Sequence, residues 1–102
     1  MKNYHMNNNG LTLKFDFQTE NTDSAYSLLG VIMEKLNKIR DKIGGLKYVE
    51  VNLLKPEDPL EDHKTALFRL VSNESIITEY SRAKRWEDAL LNAFDKVQER
   101  FI

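Results

Sequence analysis

The sequence predicts an α+β two-layer sandwich in the order β-α-β-β-β-α, with two helices on one face of a four-stranded sheet. Three observations carry that prediction. Two long stretches repeat their apolar residues three and four apart, the period of a helix buried on one face. Four shorter stretches alternate apolar and polar residues, the period of a strand with one buried face. Two helices with one apolar face each need a shared surface, and one face of a sheet supplies it.

Met1 to Gly10 is polar, with three consecutive asparagines. It is expected to be a mobile N-terminal arm over 1–10, leaving 11–102 as a single domain. His5 in this arm reads as exposed and untethered. From Leu11 to Phe17, Leu11, Leu13, Phe15 and Phe17 point one way and Thr12, Lys14 and Asp16 the other, which makes the first strand. Gln18 to Asn21 connect it to the first helix. That helix occupies the stretch from Asn21 to Gly45, with Ala25, Leu29, Ile32, Leu36, Ile39 and Ile43 in its stripe and Leu28 widening it. Asn21, Thr22, Asp23 and Ser24 all suit the N-terminal end, Arg40 and Lys42 suit the last turn, and Gly44-Gly45 provide an exit.

Leu46 to Leu54 is the second strand, with Val49, Val51 and Leu53 inward. The run Lys55-Pro-Glu-Asp-Pro-Leu-Glu-Asp62 breaks it, because two prolines cannot continue a ladder. Lys64 to Val71 is the third strand, with Ala66, Phe68 and Leu70 on one face. Turn chemistry at Ser72-Asn73-Glu74-Ser75 leads into a fourth strand from Ile76 to Tyr80. From Arg82 the chain is expected to be helical to its end. Trp86, Ala89, Leu90, Ala93, Val97 and Phe101 form the stripe, and Phe94 lies at its edge.

Composition narrows the function. The 102 residues hold no cysteine, which excludes disulfides, thiolate metal sites and thiol nucleophiles. No apolar run approaches the roughly 20 residues that span a bilayer, and the N-terminus lacks the apolar core of a secretory signal, so a cytoplasmic protein without membrane contact is expected. Fifteen Lys+Arg against sixteen Asp+Glu give a net charge of −1, so any nucleic-acid binding must rest on local segregation of charge. There is no Gly-rich phosphate loop, no histidine pair at ligand spacing and no supported Ser–His arrangement. The acids of Glu57-Asp58 and Glu61-Asp62 lack the pattern of a calcium loop, and His63 stands too far from His5 to complete a site. No enzyme, cofactor, metal or small-molecule substrate is expected.

Two basic groups are left over. Lys35, Lys38 and Lys42 fall within about 60° of one another on one flank of the first helix, while Glu34 and Asp41 lie further round. Arg82, Lys84 and Arg85 cluster at the start of the second helix, where positive charge opposes the dipole. Each group is either a solvated surface or an anion contact. Trp86 belongs to the apolar stripe and reads as a core anchor, although a tryptophan beside three cations is also an arrangement that stacks on a nucleobase. Lys96 shares a flank with Arg85, diluted by Asp88 and Glu99.

The element order, together with Val49-Glu-Val-Asn-Leu53, Lys64-Thr-Ala-Leu-Phe-Arg-Leu70 and the run from Trp86 to Arg100, resembles the ribosome hibernation promoting factor and protein Y family, also called sigma-54 modulation proteins. The resemblance covers Leu11 to Phe101 and is to the short form. It implies a fold similar to double-stranded-RNA-binding domains. It also implies binding to the small ribosomal subunit and its rRNA around the decoding channel, and translation inhibition under starvation. Carried over by position, the implied RNA-binding residues are Lys35, Lys38, Lys42, Arg82, Lys84 and Arg85, with Lys96 and Arg100 secondary. The alternative is a protein-interaction module of the same fold that has lost RNA binding.

Overall fold

Strands β2 (Leu11–Phe17) and β3 (Tyr48–Leu54) pair in parallel, and a parallel pair requires a crossover, which α1 (Thr22–Arg40) provides. β4 (Lys64–Val71) and β5 (Ile76–Ala83) then add antiparallel neighbours, and α2 (Trp86–Glu99) follows β5. The computed structural model describes residues 2–8, 10–19 and 21–100; Phe101, expected in the second stripe, lies outside them. Both helices cover one face of the sheet, giving the expected two-layer α+β sandwich.

The sheet has five strands rather than four, in the order β1-β2-β3-β4-β5. The additional strand β1 (Lys2–Asn8) occupies the stretch expected to be a mobile arm. It pairs antiparallel with β2 from Lys2↔Phe17 to Asn8↔Leu11. Tyr4 and Met6 pack against the core, and the Tyr4 and Phe17 rings lie 5.6 Å apart. Gly10, at φ 81°, takes the left-handed conformation that a tight reversal needs.

The inward residues of β2, β3 and β4 stand side by side: Leu13, Val49 and Leu70 form one row, Phe15, Val51 and Phe68 the next, and Phe17, Leu53 and Ala66 the third. All nine are buried. From α1, Ala25, Leu28, Ile32, Leu36 and Ile39 close the core, with Leu28 rather than Leu29 fully inside. α2 contributes Ala89, Leu90, Ala93, Phe94 and Val97. Phe94 is a core residue rather than an edge residue, meeting Phe68 edge-on with centroids 6.1 Å apart. The single methyl groups of Ala89 and Ala93 do little to hold α2 away from the sheet, and α2 lies closer to its strands than α1 does.

Four boundaries differ from expectation, the first being that α2 begins at Trp86 rather than Arg82. α1 ends at Arg40 instead of continuing to Gly45, and the next residues turn while keeping Ile43 buried. Gly45 has φ 71°, and a Cβ there would collide with the Asn73 side chain, so glycine is required. β3 begins at Tyr48 rather than Leu46. β5 runs on to Ala83 because β4 begins at Lys64 and the two eight-residue strands pair along their full length.

Candidate nucleic-acid interface

β5 is antiparallel to β4, and β4 is antiparallel to β3, so β5 runs parallel to β2. Each of these two strands feeds directly into a helix, so α1 and α2 begin at the same end of the molecule. This topology sorts the cations expected to bind RNA into three places on the helix side and leaves Arg82 on the open face.

The first is the α1 side of the helix layer. Lys35 lies between the helices, with Nζ 5.6 Å from the centre of the Phe94 ring on α2, a cation–π contact that leaves the ammonium partly exposed. Lys38 is exposed and pairs loosely with Glu34 at 3.7 Å, a solvated i,i+4 contact of small energetic weight. Lys42 is exposed in the turn after α1 rather than on the helix. The three share one end of the helix layer.

The cluster Arg82, Lys84 and Arg85 does not form the first turn of α2. Arg82 is on β5, where strand alternation puts it with Thr78 and Tyr80 on the open face of the sheet, away from the helices. Lys84 lies in the bend, and Arg85 is the N-cap of α2, extended and making no side-chain capping bond. Lys84 and Arg85 instead line a cleft of about 530 Å³ between the starts of the two helices. Across it stand Asn21, Asp23, Ser24 and Ser27 of the first turns of α1 and the residue before them. Trp86 lines this cleft and a neighbouring recess of about 470 Å³ beside the 55–62 loop. It is half-buried, so the expected core anchor keeps part of its indole in solvent.

Lys64 joins this site, although the sequence reading passed over it. It occupies an inward position of β4, two residues before buried Ala66, which is an unusual parity for a charge and the signal that marks it. Its Nζ donates to the Lys84 carbonyl at 2.7 Å and lies 5.7 Å from the centre of the Trp86 ring.

The third place is the outer flank of α2, beside β5. Lys96 Nζ donates to the Tyr80 carbonyl at 2.9 Å and sits 5.5 Å from the Tyr80 ring centre. Arg100 binds Glu79, with Nη2 at 2.6 Å and Nε at 2.8 Å from Oε2. These two cations are engaged within the fold, on the side of α2 away from α1.

Two further groups come together outside the helix layer. On the open face, Tyr48 Oη and Asn52 Nδ2 each donate to Glu50 at 3.1 Å, and Lys14 and Arg69 flank it on β2 and β4. In the 55–63 loop, Glu61, Asp62 and His63 bring their ligand atoms within 4.8 Å of one another, all exposed, with His63 Nδ1 2.9 Å from Glu61 Oε1. His63 is thus less isolated than the sequence spacing suggested.

Among the described residues, no helix is long and apolar enough to cross a membrane. The chain matches no family model and no curated protein. Its fold does match a solved one. A ribosomal subunit interface protein from Coxiella burnetii superposes with a TM-score of 0.68, covering 87% of this chain and 91% of that chain at 13% identity. At that identity the likeness is one of fold.

Proposed function

We propose that this protein is a ribosome-associated translation inhibitor of the hibernation type, binding rRNA of the small subunit through the basic end of its helix layer. The observation that carries the reading is the fold shared, over most of both chains, with a ribosomal subunit interface protein. Half-buried Lys35 and exposed Lys38 and Lys42 supply the chemistry on the helix layer. Lysines act on phosphates as mobile point charges and need no rigid pocket, which suits an irregular rRNA surface. Lys84 and Arg85 add a second contact at the opposite end of the layer. Arg82 contributes from the open face, while Lys96 and Arg100 hold α2 to β5 and play a lesser part. A protein seated there inhibits by occupying space that transfer RNA and messenger RNA need, so the mechanism requires no reaction, metal or cofactor. Its place of work is the cytoplasm. A protein-interaction module is the second reading, and it is favoured by Ile76 and Tyr80, which are 60% and 58% exposed.

Co-sedimentation with small ribosomal subunits tests the proposal. Wild type should pellet with them at low salt. Lys35→Glu/Lys38→Glu/Lys42→Glu should stay folded, because charge changes at exposed Lys38 and Lys42 usually shift stability by no more than about 0.5 kcal/mol and the Lys35 contact with the Phe94 ring is worth about 0.5–1 kcal/mol. The same variant should lose most of its ribosome binding. A folded triple variant that pellets like wild type would remove these lysines from the mechanism, and no pelleting of wild type would overturn the proposed function.

A further inference from the structure

We propose that the cleft between the starts of α1 and α2 holds one unstacked nucleotide of single-stranded RNA, with its phosphate on Lys84 and Arg85 and its base against Trp86. The inference rests on the reading above that RNA is the ligand, and adds a separate subsite with its own recognition chemistry.

Size, charge and surface chemistry support it. At about 530 Å³ the cleft falls within the roughly 300–1,000 Å³ of sites that take small molecules or single chemical units. Among the described residues no carboxylate pairs with Lys84 or Arg85, although both are exposed. The lining carries three cations (Lys64, Lys84 and Arg85) and two carboxylates (Asp23 and Glu87), a surplus of one positive charge. One phosphodiester carries one negative charge. A triphosphate would meet the two carboxylates with too much charge of its own.

Trp86 gives the site a flat apolar surface beside these cations, and bases freed from a helix stack on such surfaces whatever their sequence. The Lys64 ammonium, bonded to the Lys84 carbonyl, lies against the indole within the same cleft, and the rest of the half-buried ring is left to a base. Asp23 and Ser27 across the cleft present acceptor and hydroxyl groups to a ribose 2′-hydroxyl or to a base edge. A base still stacked in a duplex cannot enter, so the site selects unpaired RNA.

Trp86 is the only tryptophan in the chain, so its fluorescence reports on this cleft and the recess beside it, and only the cleft is lined by Lys84 and Arg85. Wild type is titrated with a hexamer of oligoadenylate, with AMP and with a blunt RNA duplex, and the emission is followed. The hexamer should quench it saturably, AMP should do so only at much higher concentration, and the duplex should leave it unchanged. Lys84→Ala/Arg85→Ala should raise the hexamer half-saturation about tenfold and flatten the log–log salt dependence by about 1.4, the share of two phosphate contacts on a single strand. Lys47→Glu, an equal change of charge elsewhere, should leave the midpoint within twofold, and melting curves check that each variant folds. Three outcomes overturn the proposal: no quenching by the hexamer, equal quenching by the duplex, or AMP binding as tightly as the hexamer. Ribosome pelleting without hexamer quenching would sink this subsite alone. Quenching without pelleting would sink the proposed function and leave the subsite standing.

Discussion

Glu50 occupies the middle of the open sheet face, and its neighbours favour its charged form. The hydrogen bond from Asn52 is the largest influence, followed by that from Tyr48 and the charges of Lys14 and Arg69; against the opposing effect of burial they hold the carboxyl below its ordinary value. A depressed carboxyl pKa stabilises the fold above the unfolded-state value, and that contribution is lost as pH falls through the folded value. Tyr48 has the opposite sign. Burial first, then its bond to Glu50, pushes its hydroxyl above the ordinary tyrosine value. Its share is therefore complete below the unfolded-state value and lost as pH rises through the folded one. We expect Glu50→Gln to lower the unfolding free energy by about 0.5–1.5 kcal/mol near neutral pH, the usual worth of such bonds. In urea titrations the difference should shrink as the medium is made acidic enough to protonate wild-type Glu50. An equal difference at neutral and acid pH would show that the substitution acts through shape rather than charge.

At the scale of elements, each helix is held by a different kind of contact. α1 stands off the sheet on large side chains, so removing one leaves a hole: Leu36, 3% exposed, is expected to cost about 2–5 kcal/mol when changed to alanine, as read by denaturant unfolding. A change below ~0.5 kcal/mol would mean that α1 is rotated away from this packing. β1 is tied down through Tyr4, so Tyr4→Ala should cost at least about 1 kcal/mol, whereas a free arm would give no change. Calorimetric or urea unfolding of that single variant decides between strand and arm. The core of this fold was legible because β2, β3 and β4 alternate strictly and both helices carry continuous stripes. β1 was not, since Tyr4 and Met6 are only two apolar residues among asparagines, and their burial depends on pairing with β2 across the reversal at Gly10. The end of β5 was hidden for a related reason: Arg82 and Ala83 are drawn into the sheet by the length of β4. That tertiary effect also split a basic cluster which is contiguous in sequence, sending Arg82 to one face and Lys84 and Arg85 to the other. Lys35, Lys38 and Lys42 were found by helical spacing alone, but the cleft was not, because its walls come from the start of α1, the start of β4 and the start of α2, far apart in sequence.

Across the whole molecule, a net charge of −1 coexists with a helix layer whose cations gather at its two ends. Overall attraction to RNA is therefore weak at a distance and strong only on contact. Ribosome binding should accordingly fall with salt at a log–log slope of about −2 to −5, corresponding to three to six phosphate contacts. A flat salt profile in sedimentation would favour the protein-interaction reading instead. The attachment of α2 to β5 bears on how copies of this protein meet one another. Sheets join by adding strand to strand, and endless growth needs a free edge on both sides of every unit. Here the Lys96 amine already occupies the Tyr80 carbonyl, and Arg100 is clasped to Glu79 beside it. A lysine amine on an edge carbonyl is one of the devices that blunt strand addition, so the contact that anchors α2 also disfavours growth of the sheet past β5.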